Sequence, residues 1–405
     1  MKKFNKFLSV AVASAMVMSM AGCGNTDNGS AATGTNAATE SAAVDNGAAA
    51  GSVFKIGGIG PTTGGAAVYG LAVQHGAEIA VEEINAAGGI NGYQVEFKFQ
   101  DDEADAEKSV NAYNALKDWG AQIIDGSTTS GACIAVTDKT KEDNMFQITP
   151  SGSAVECVQY DNNFRVCFSD PNQGLASAQY IGENGLAEKV AVIYDSSDVY
   201  SSGIYEKFAK EAENQPFEVV AAEAFTADNK TDFSVQLQKA KDAGADMVFL
   251  PIYYQESALI LTQAAAMGYA PKWFSCDGMD GILGGVDNFD VSLTEGVMLL
   301  TPFAADATDD LTKSFVSKYK EKYGETPNQF AADSYDAIYV IKAAIEKSGV
   351  TPDMSVSDIC DGMKAAMTEI TVDGLTGNGM TWTADGEANK APKAVVIENG
   401  AYKAM

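Results

Sequence analysis

From Val53 onward the chain alternates apolar strand-like runs with longer amphipathic stretches, and this alternation constrains its fold more than any other feature. Val53–Ile59 runs into the glycine-rich turn Gly60-Pro61-Thr62-Thr63-Gly64-Gly65, and the amphipathic segment Ala72–Ala87 ends at Gly88-Gly89 as a helix should. Strand patterns follow at Gln94–Gln100, Gln122–Asp125 and Met145–Thr149, with helical patterns Ala104–Trp119 and Ala132–Glu142 between them. The second half repeats the theme. Strands are predicted at Val190–Tyr194, Phe217–Phe225, Met247–Tyr253 and Trp273–Cys276, interleaved with helices Ser201–Glu213, Phe233–Ala243 and Glu256–Met267. Such a succession specifies βαβ units and parallel sheets, hence an α/β fold. Three late helical patterns, Leu311–Tyr323, Gln329–Lys347 and Ser357–Thr368, and a terminal strand, Ala394–Glu398, fit a tandem of two copies poorly. A chain that leaves its first lobe, builds a second and returns to finish the first explains them. Ligands of such sheets bind beyond the carboxyl ends of the strands, so the loops after each strand are where function is sought.

The 405 residues amount to about two domains or a small multiple. A net charge of −28 repels phosphate backbones, so no nucleic-acid partner is expected. His75 is the only histidine, which removes multi-histidine metal sites and leaves one imidazole for any serine or cysteine mechanism. It lies in an amphipathic helix with no Gly-x-Ser-x-Gly elbow in the chain and reads as a satisfied surface residue. The turn Gly58-Ile59-Gly60-Pro61 lacks the dinucleotide pattern, because its third glycine comes one residue late and Pro61 removes an amide. The adjacent pairs Asp101/Asp102 and Asp309/Asp310 read as solvated loops rather than paired catalytic acids. No enzyme activity, cofactor or metal is expected.

Residues 1–22 carry Lys2, Lys3 and Lys6, then an apolar run from Phe7 to Met20 and small residues, the layout of a secretory signal peptide. Met20-Ala21-Gly22-Cys23 resembles the lipobox of bacterial lipoproteins, which implies acylation of Cys23. Residues 23–52, rich in Gly, Ala, Asn and Thr, hold too little apolar surface to offset chain entropy and read as a disordered tether. The body is expected outside the cytoplasm, lipid-anchored to the cell membrane.

The strand-end loops carry a family resemblance. Ile56-Gly57-Gly58-Ile59-Gly60-Pro61-Thr62-Thr63-Gly64 is similar to the opening of the leucine/isoleucine/valine-binding proteins, substrate-binding components of ABC importers with the type I periplasmic binding protein fold. Asn85-Ala86-Ala87-Gly88-Gly89-Ile90-Asn91-Gly92, Gln100-Asp101-Asp102, Ile148-Thr149-Pro150-Ser151, Phe164-Arg165, Asp170-Pro171-Asn172-Gln173-Gly174 and Tyr253-Tyr254-Gln255-Glu256 continue it in order. The resemblance implies two Rossmann-like lobes with parallel sheets, joined by a three-segment hinge and closing like jaws. It puts lobe 1 at 53–169 plus 302–382 and lobe 2 at 170–301 plus 383–405.

A zwitterionic amino acid in a closed cleft needs donors for its carboxylate and acceptors for its ammonium. The loops Ser127-Thr128-Thr129-Ser130-Gly131 and Ser151-Gly152-Ser153 follow adjacent strands and offer hydroxyls and amides suited to a carboxylate. The resemblance implies ligand contact at Thr129, Ser151 and Ser153. It matches Asp277 to the ammonium counterion, where the family more often has Glu, with Tyr253 beside it. Tyr69, Tyr200 and Phe330 match side-chain pocket positions. Three rings suit leucine, isoleucine or valine, and equally an aromatic ligand. The expected ligand is therefore an amino acid, with a branched chain favoured. A small polar or aromatic carboxylate or amide stays open, as does an exported sensor or ligand-presenting role. The expected partners are ABC permease subunits, and the protein itself is expected to be a monomer. Cys157 and Cys167 flank a short loop and are a candidate disulfide in an exported protein. Cys133, Cys276 and Cys360 read as buried thiols.

Overall fold

The computed structural model describes residues 51–405. The signal-peptide stretch, Cys23 and nearly all of the tether lie outside the described residues. Just inside them, the Ser52 hydroxyl donates to Asp353 at 2.6 Å.

Two sheets organise the molecule. The first contains β1 (Val53–Gly60), β2 (Gln94–Asp101), β3 (Ile123–Asp125), β4 (Phe146–Thr149) and β5 (Asn163–Arg165), in the order β2-β1-β3-β4-β5. All its pairings are parallel, beginning with Val53 opposite Gln94. The second contains β6 (Lys189–Asp195), β7 (Glu218–Phe225), β8 (Met247–Leu250), β9 (Lys272–Ser275), β10 (Met298–Thr301), β11 (Lys393–Glu398) and β12 (Ala401–Ala404). Its order is β12-β11-β10-β9-β8-β6-β7, parallel except where β11 joins β10 and β12. Central strands are buried on both faces and read as unbroken apolar runs; every residue of Met247-Val248-Phe249-Leu250 is buried.

On the first sheet pack α1 (Ala67–Ala86), α2 (Ala106–Trp119), α3 (Ser130–Asp143), α9 (Gln329–Ser348) and α10 (Val356–Met367). On the second pack α5 (Val199–Ala212) and α6 (Ser234–Asp242), while α4 (Asp170–Glu183) lies against α5 and α7 (Tyr254–Ala266) against α6. Helix α8 (Asp310–Tyr323) docks on α1. The late helices therefore complete the first lobe, and the chain passes between the lobes after β5, after β10 and before β11. Local chemistry sets the helix ends: the Asn328 side chain accepts the Ala331 amide at the start of α9, and Gly349 ends it in the left-handed region at φ 71°.

Some elements depart from the sequence reading. Helix α1 begins at Ala67 rather than Ala72. Helix α4 and the short strands β5, β10 and β12 add to the elements the sequence pattern gives; Pro171 sits in the first turn of α4, where its missing amide costs nothing. The strand expected over Met247–Tyr253 stops at Leu250, and Tyr253 instead precedes α7. Asp102 is not solvated but fully buried, and burial pushes its carboxyl up to about 6. Its Oδ1 accepts the Ala104 amide at 2.9 Å. His75 stacks on Tyr323 at 3.6 Å between ring centres, with Nδ1 3.2 Å from the Tyr319 hydroxyl, and thus helps dock α8 on α1.

Candidate functional site

The loops singled out by sequence all leave the carboxyl ends of strands. β3 leads to Thr129 at the start of α3, and β4 to Pro150-Ser151-Gly152-Ser153. From the second sheet, β6 leads to Tyr200 in the first turn of α5, β8 to Tyr253 and β9 to Asp277. Tyr69 comes from α1 and Phe330 from the first turn of α9.

Five of these side chains form one connected cluster. The Tyr200 hydroxyl donates to Asp277 Oδ1 at 2.7 Å, and its ring stacks on Tyr253 at 5.0 Å. Tyr69 meets Tyr253 edge-on at 5.4 Å and lies 4.4 Å from the Phe330 ring. Its hydroxyl donates to the Gly278 carbonyl and accepts the Tyr254 amide at 3.2 Å, tying α1 of the first lobe to two loops of the second. A side chain at Gly278 would bring its Cβ within 2.6 Å of the Tyr200 hydroxyl, so the Asp-Gly pair lets the tyrosine reach the carboxylate. Burial, opposed by the Tyr200 and Gln173 hydrogen bonds, pushes the Asp277 carboxyl up to about 7. The Tyr69, Tyr200 and Tyr253 hydroxyls are pushed well above their ordinary range by burial and stay protonated donors.

The hydroxyl loops form a second group. Ser151 Oγ donates to the Thr128 carbonyl at 2.5 Å, Ser153 Oγ lies 3.5 Å from Ser130 Oγ, and buried Thr129 Oγ1 has no protein partner. Arg165, the only arginine of the chain, is fully buried behind them and donates to the carbonyls of Gly152, Ser153, Ala154 and Val155. It fixes the backbone that presents Ser151 and Ser153. Helix α3, which Thr129 precedes, touches α5, which carries Tyr200. Among the described residues no hydrogen bond joins the Asp277 cluster directly to the hydroxyl loops. Asp170 lies between: its amide donates to the Ser153 carbonyl at 2.9 Å, its side chain rests over Gly203 of α5, and both buried carboxylate oxygens lack partners.

Several participants escaped the sequence reading. Gln173 Nε2 donates to Asp277 Oδ2 at 3.0 Å, and Gln329 Nε2 donates to the Asp277 carbonyl at 3.0 Å. The Gln329 amide donates to Asp280 Oδ2 at 3.0 Å, so an acid of the second lobe caps a helix of the first. Gln173 stands in the quoted stretch Asp170–Gly174, three residues after Asp170, and the two share a face only once α4 forms. Cys157 and Cys167, the candidate bridge, are both buried with free thiols. Cys157 faces α3, where its Sγ donates to the Ser130 carbonyl at 3.7 Å, whereas Cys167 Sγ turns to the Gly152 carbonyl at 3.6 Å. A hollow of about 700 Å³ bordered by Asp309, Thr312, Leu375, Asn389 and Lys393 contains none of the site residues.

With aromatic rings around Asp277, and Asp170 and buried hydroxyls on the neighbouring loops, the arrangement can hold a small polar molecule. Comparison with known proteins agrees. Residues 53–401 match the family model for periplasmic binding proteins. Leu/Ile/Val-binding protein homolog 3 of Brucella melitensis is 32% identical over 301 residues, 74% of this chain and 80% of that protein. The leucine-, isoleucine-, valine-, threonine- and alanine-binding protein of Pseudomonas aeruginosa is 30% identical over 73% of this chain and 79% of its own length. Among solved structures, the branched-chain amino acid transporter substrate binding protein LivJ of Streptococcus pneumoniae, in complex with isoleucine, superposes with a TM-score of 0.78. It is 29% identical, over 87% of this chain and 99% of that one. The chain therefore belongs to the periplasmic binding protein family, among the Leu/Ile/Val-binding proteins, and is a solute-binding protein of type I fold rather than an enzyme.

Proposed function

We propose that this protein captures an amino acid with a branched apolar side chain outside the cytoplasm and delivers it to the permease of an ABC importer. Residues 1–22 act as the export signal, acylated Cys23 anchors the chain to the cell membrane, and residues 23–52 tether a monomeric body. Lobe 1 comprises 53–169 plus 302–382, and lobe 2 comprises 170–301 plus 383–405. The observation that supports the reading is the buried Asp277 carboxylate, held by Tyr200 and Gln173, together with the buried hydroxyl loops of Thr129, Ser151 and Ser153 at strand ends of the other sheet. Asp277 is the counterion of the ligand ammonium, the hydroxyl loops receive its carboxylate, and Tyr69, Tyr200, Tyr253 and Phe330 enclose its side chain. Ligand touching both lobes stabilises the closed state by its differential affinity.

A second reading rests on the same rings. Four aromatic side chains around one cleft suit an aromatic carboxylate as well. Asp277 speaks against it, because a ligand without an ammonium leaves that acid unpaired. A thermal-shift screen of the purified protein, unfolded and refolded to strip carried ligand, separates the two. At 100 times its dissociation constant a ligand adds about 2.7 kcal/mol, a rise of several degrees. A shift confined to leucine, isoleucine and valine is the expected result. A shift with benzoate-like acids alone overturns the amino-acid reading and leaves the fold untouched.

A further inference from the structure

Cysteines gather beneath the loop that carries Ser151 and Ser153. Cys133 lies in the first turns of α3, Cys157 in the 3-10 turn Val155–Val158 and Cys167 just beyond β5, all buried with free thiols. Their settings differ. Cys167 points to the Gly152 carbonyl, away from the others' shared contact. The Cys157 thiol, by contrast, reaches the carbonyl of Ser130 at 3.7 Å, one turn before Cys133 on the same helix, and packs in one buried cluster with Cys133. Cys133 also packs over Gly152, where an added Cβ would lie 2.9 Å from Cys133 Cβ and 3.0 Å from its Sγ. With Ala154 the two thiols make a small core of their own.

We propose that Cys133 and Cys157 are a disulfide-forming pair, a redox modification site that fastens α3 to the turn behind the Ser151–Ser153 loop. The two sulfurs are unequal partners. The neighbouring Cys157 thiol, with Thr149 and the Arg165 guanidinium, holds the Cys133 thiol below its ordinary range, while burial pushes Cys157 up. Cys133 is therefore the attacking sulfur. Its thiolate attacks a low-molecular-weight disulfide, forming a mixed disulfide and expelling one small thiolate, which takes up a proton. Cys157 then loses its proton and attacks the Cys133 sulfur, expelling the second small thiol. Two protein thiols are oxidised and one small disulfide is reduced to two thiols. Both sulfurs are fully buried, so the exchange requires the turn Val155–Val158, 53% exposed at Val155, to open locally. The proposal does not depend on which ligand the cleft takes.

The test is a peptide map of the full chain after incubation with oxidised glutathione, with remaining thiols blocked and no reductant added. The expected result is a Cys133–Cys157 linked peptide, two titratable thiols lost, and a melting temperature raised by a few degrees and restored by dithiothreitol. The link should persist in Cys167→Ser and vanish in Cys133→Ser. Should Cys133→Ser fail to fold, the wild-type and Cys167→Ser maps still decide. A Cys157–Cys167 link, or complete alkylation of Cys133 and Cys157 after denaturation, overturns the proposal.

Discussion

The Tyr200 hydroxyl donates to Asp277 Oδ1 at 2.7 Å while accepting the Gly278 amide at 2.9 Å, so one phenol both orients the buried acid and holds the turn that carries it. Gln173 completes the clamp from α4.

Asp277→Asn should abolish the charge that meets the ligand ammonium while keeping a side chain that Tyr200 and Gln173 can still reach. A charge-assisted hydrogen bond lost in a closed site costs about 3 kcal/mol, so leucine affinity should fall at least ~100-fold. Calorimetry measures the affinity, and circular dichroism should show an unchanged fold. An affinity within a factor of three of wild type removes Asp277 from the site.

Binding should depend on pH through the same group. In the free protein burial pushes the Asp277 carboxyl from the ordinary carboxylate range up to about 7. Below pH 7 the acid must release its proton when the ammonium arrives, so affinity should drop up to tenfold per pH unit and level off above 7. The sign for stability is opposite. The unliganded folded state holds a proton that the unfolded chain has lost, so Asp277 makes the free protein less stable as pH rises from about 4 to about 7. Asp277→Asn should flatten the affinity profile; a profile that keeps its slope assigns the titration to another group.

Tyr69→Phe removes a hydroxyl that serves both the Gly278 carbonyl and the Tyr254 amide across the lobes. The ring stays against Phe330 and Tyr253, so the pocket keeps its shape. Closure should weaken by about 1–1.5 kcal/mol, lowering affinity roughly tenfold and acting mainly on dissociation. Stopped-flow measurement of ligand release checks it, and an unchanged release rate would show that this contact does not hold the lobes shut.

The hinge has its own buried ion pair. Lys390 Nζ lies 2.5 Å from Asp333 and donates to the Val166 carbonyl at 3.0 Å, so α9 and two of the chain crossings meet at one ammonium. Lys390→Met leaves Asp333 buried and unpaired, a loss of about 3–5 kcal/mol that thermal melting at pH 8 should register. Adding Asp333→Leu to Lys390→Met should recover most of it, because no unpaired charge then remains.

The sequence by itself determined the α/β class, the order of most strands and helices, and the strand-end loops where Asp277, Tyr200 and Tyr253 lie. These are local matters: apolar periodicity, glycine ends and turn residues act over a few positions along the chain. Only the tertiary structure decided which loops meet. Tyr69 and Gly278 are 209 residues apart, and Gln329 and Asp280 are 49 apart on different lobes; no local pattern announces either contact. The same holds for Asp102, which looked solvated until β2 and its neighbours buried it, and for Cys157, which faces Cys133 on α3 rather than its nearer neighbour Cys167. Hydrogen bonds and thiol contacts are short-ranged, so they are set by the strand order and helix packing that bring distant segments within a few ångströms, and that order is a property of the whole chain.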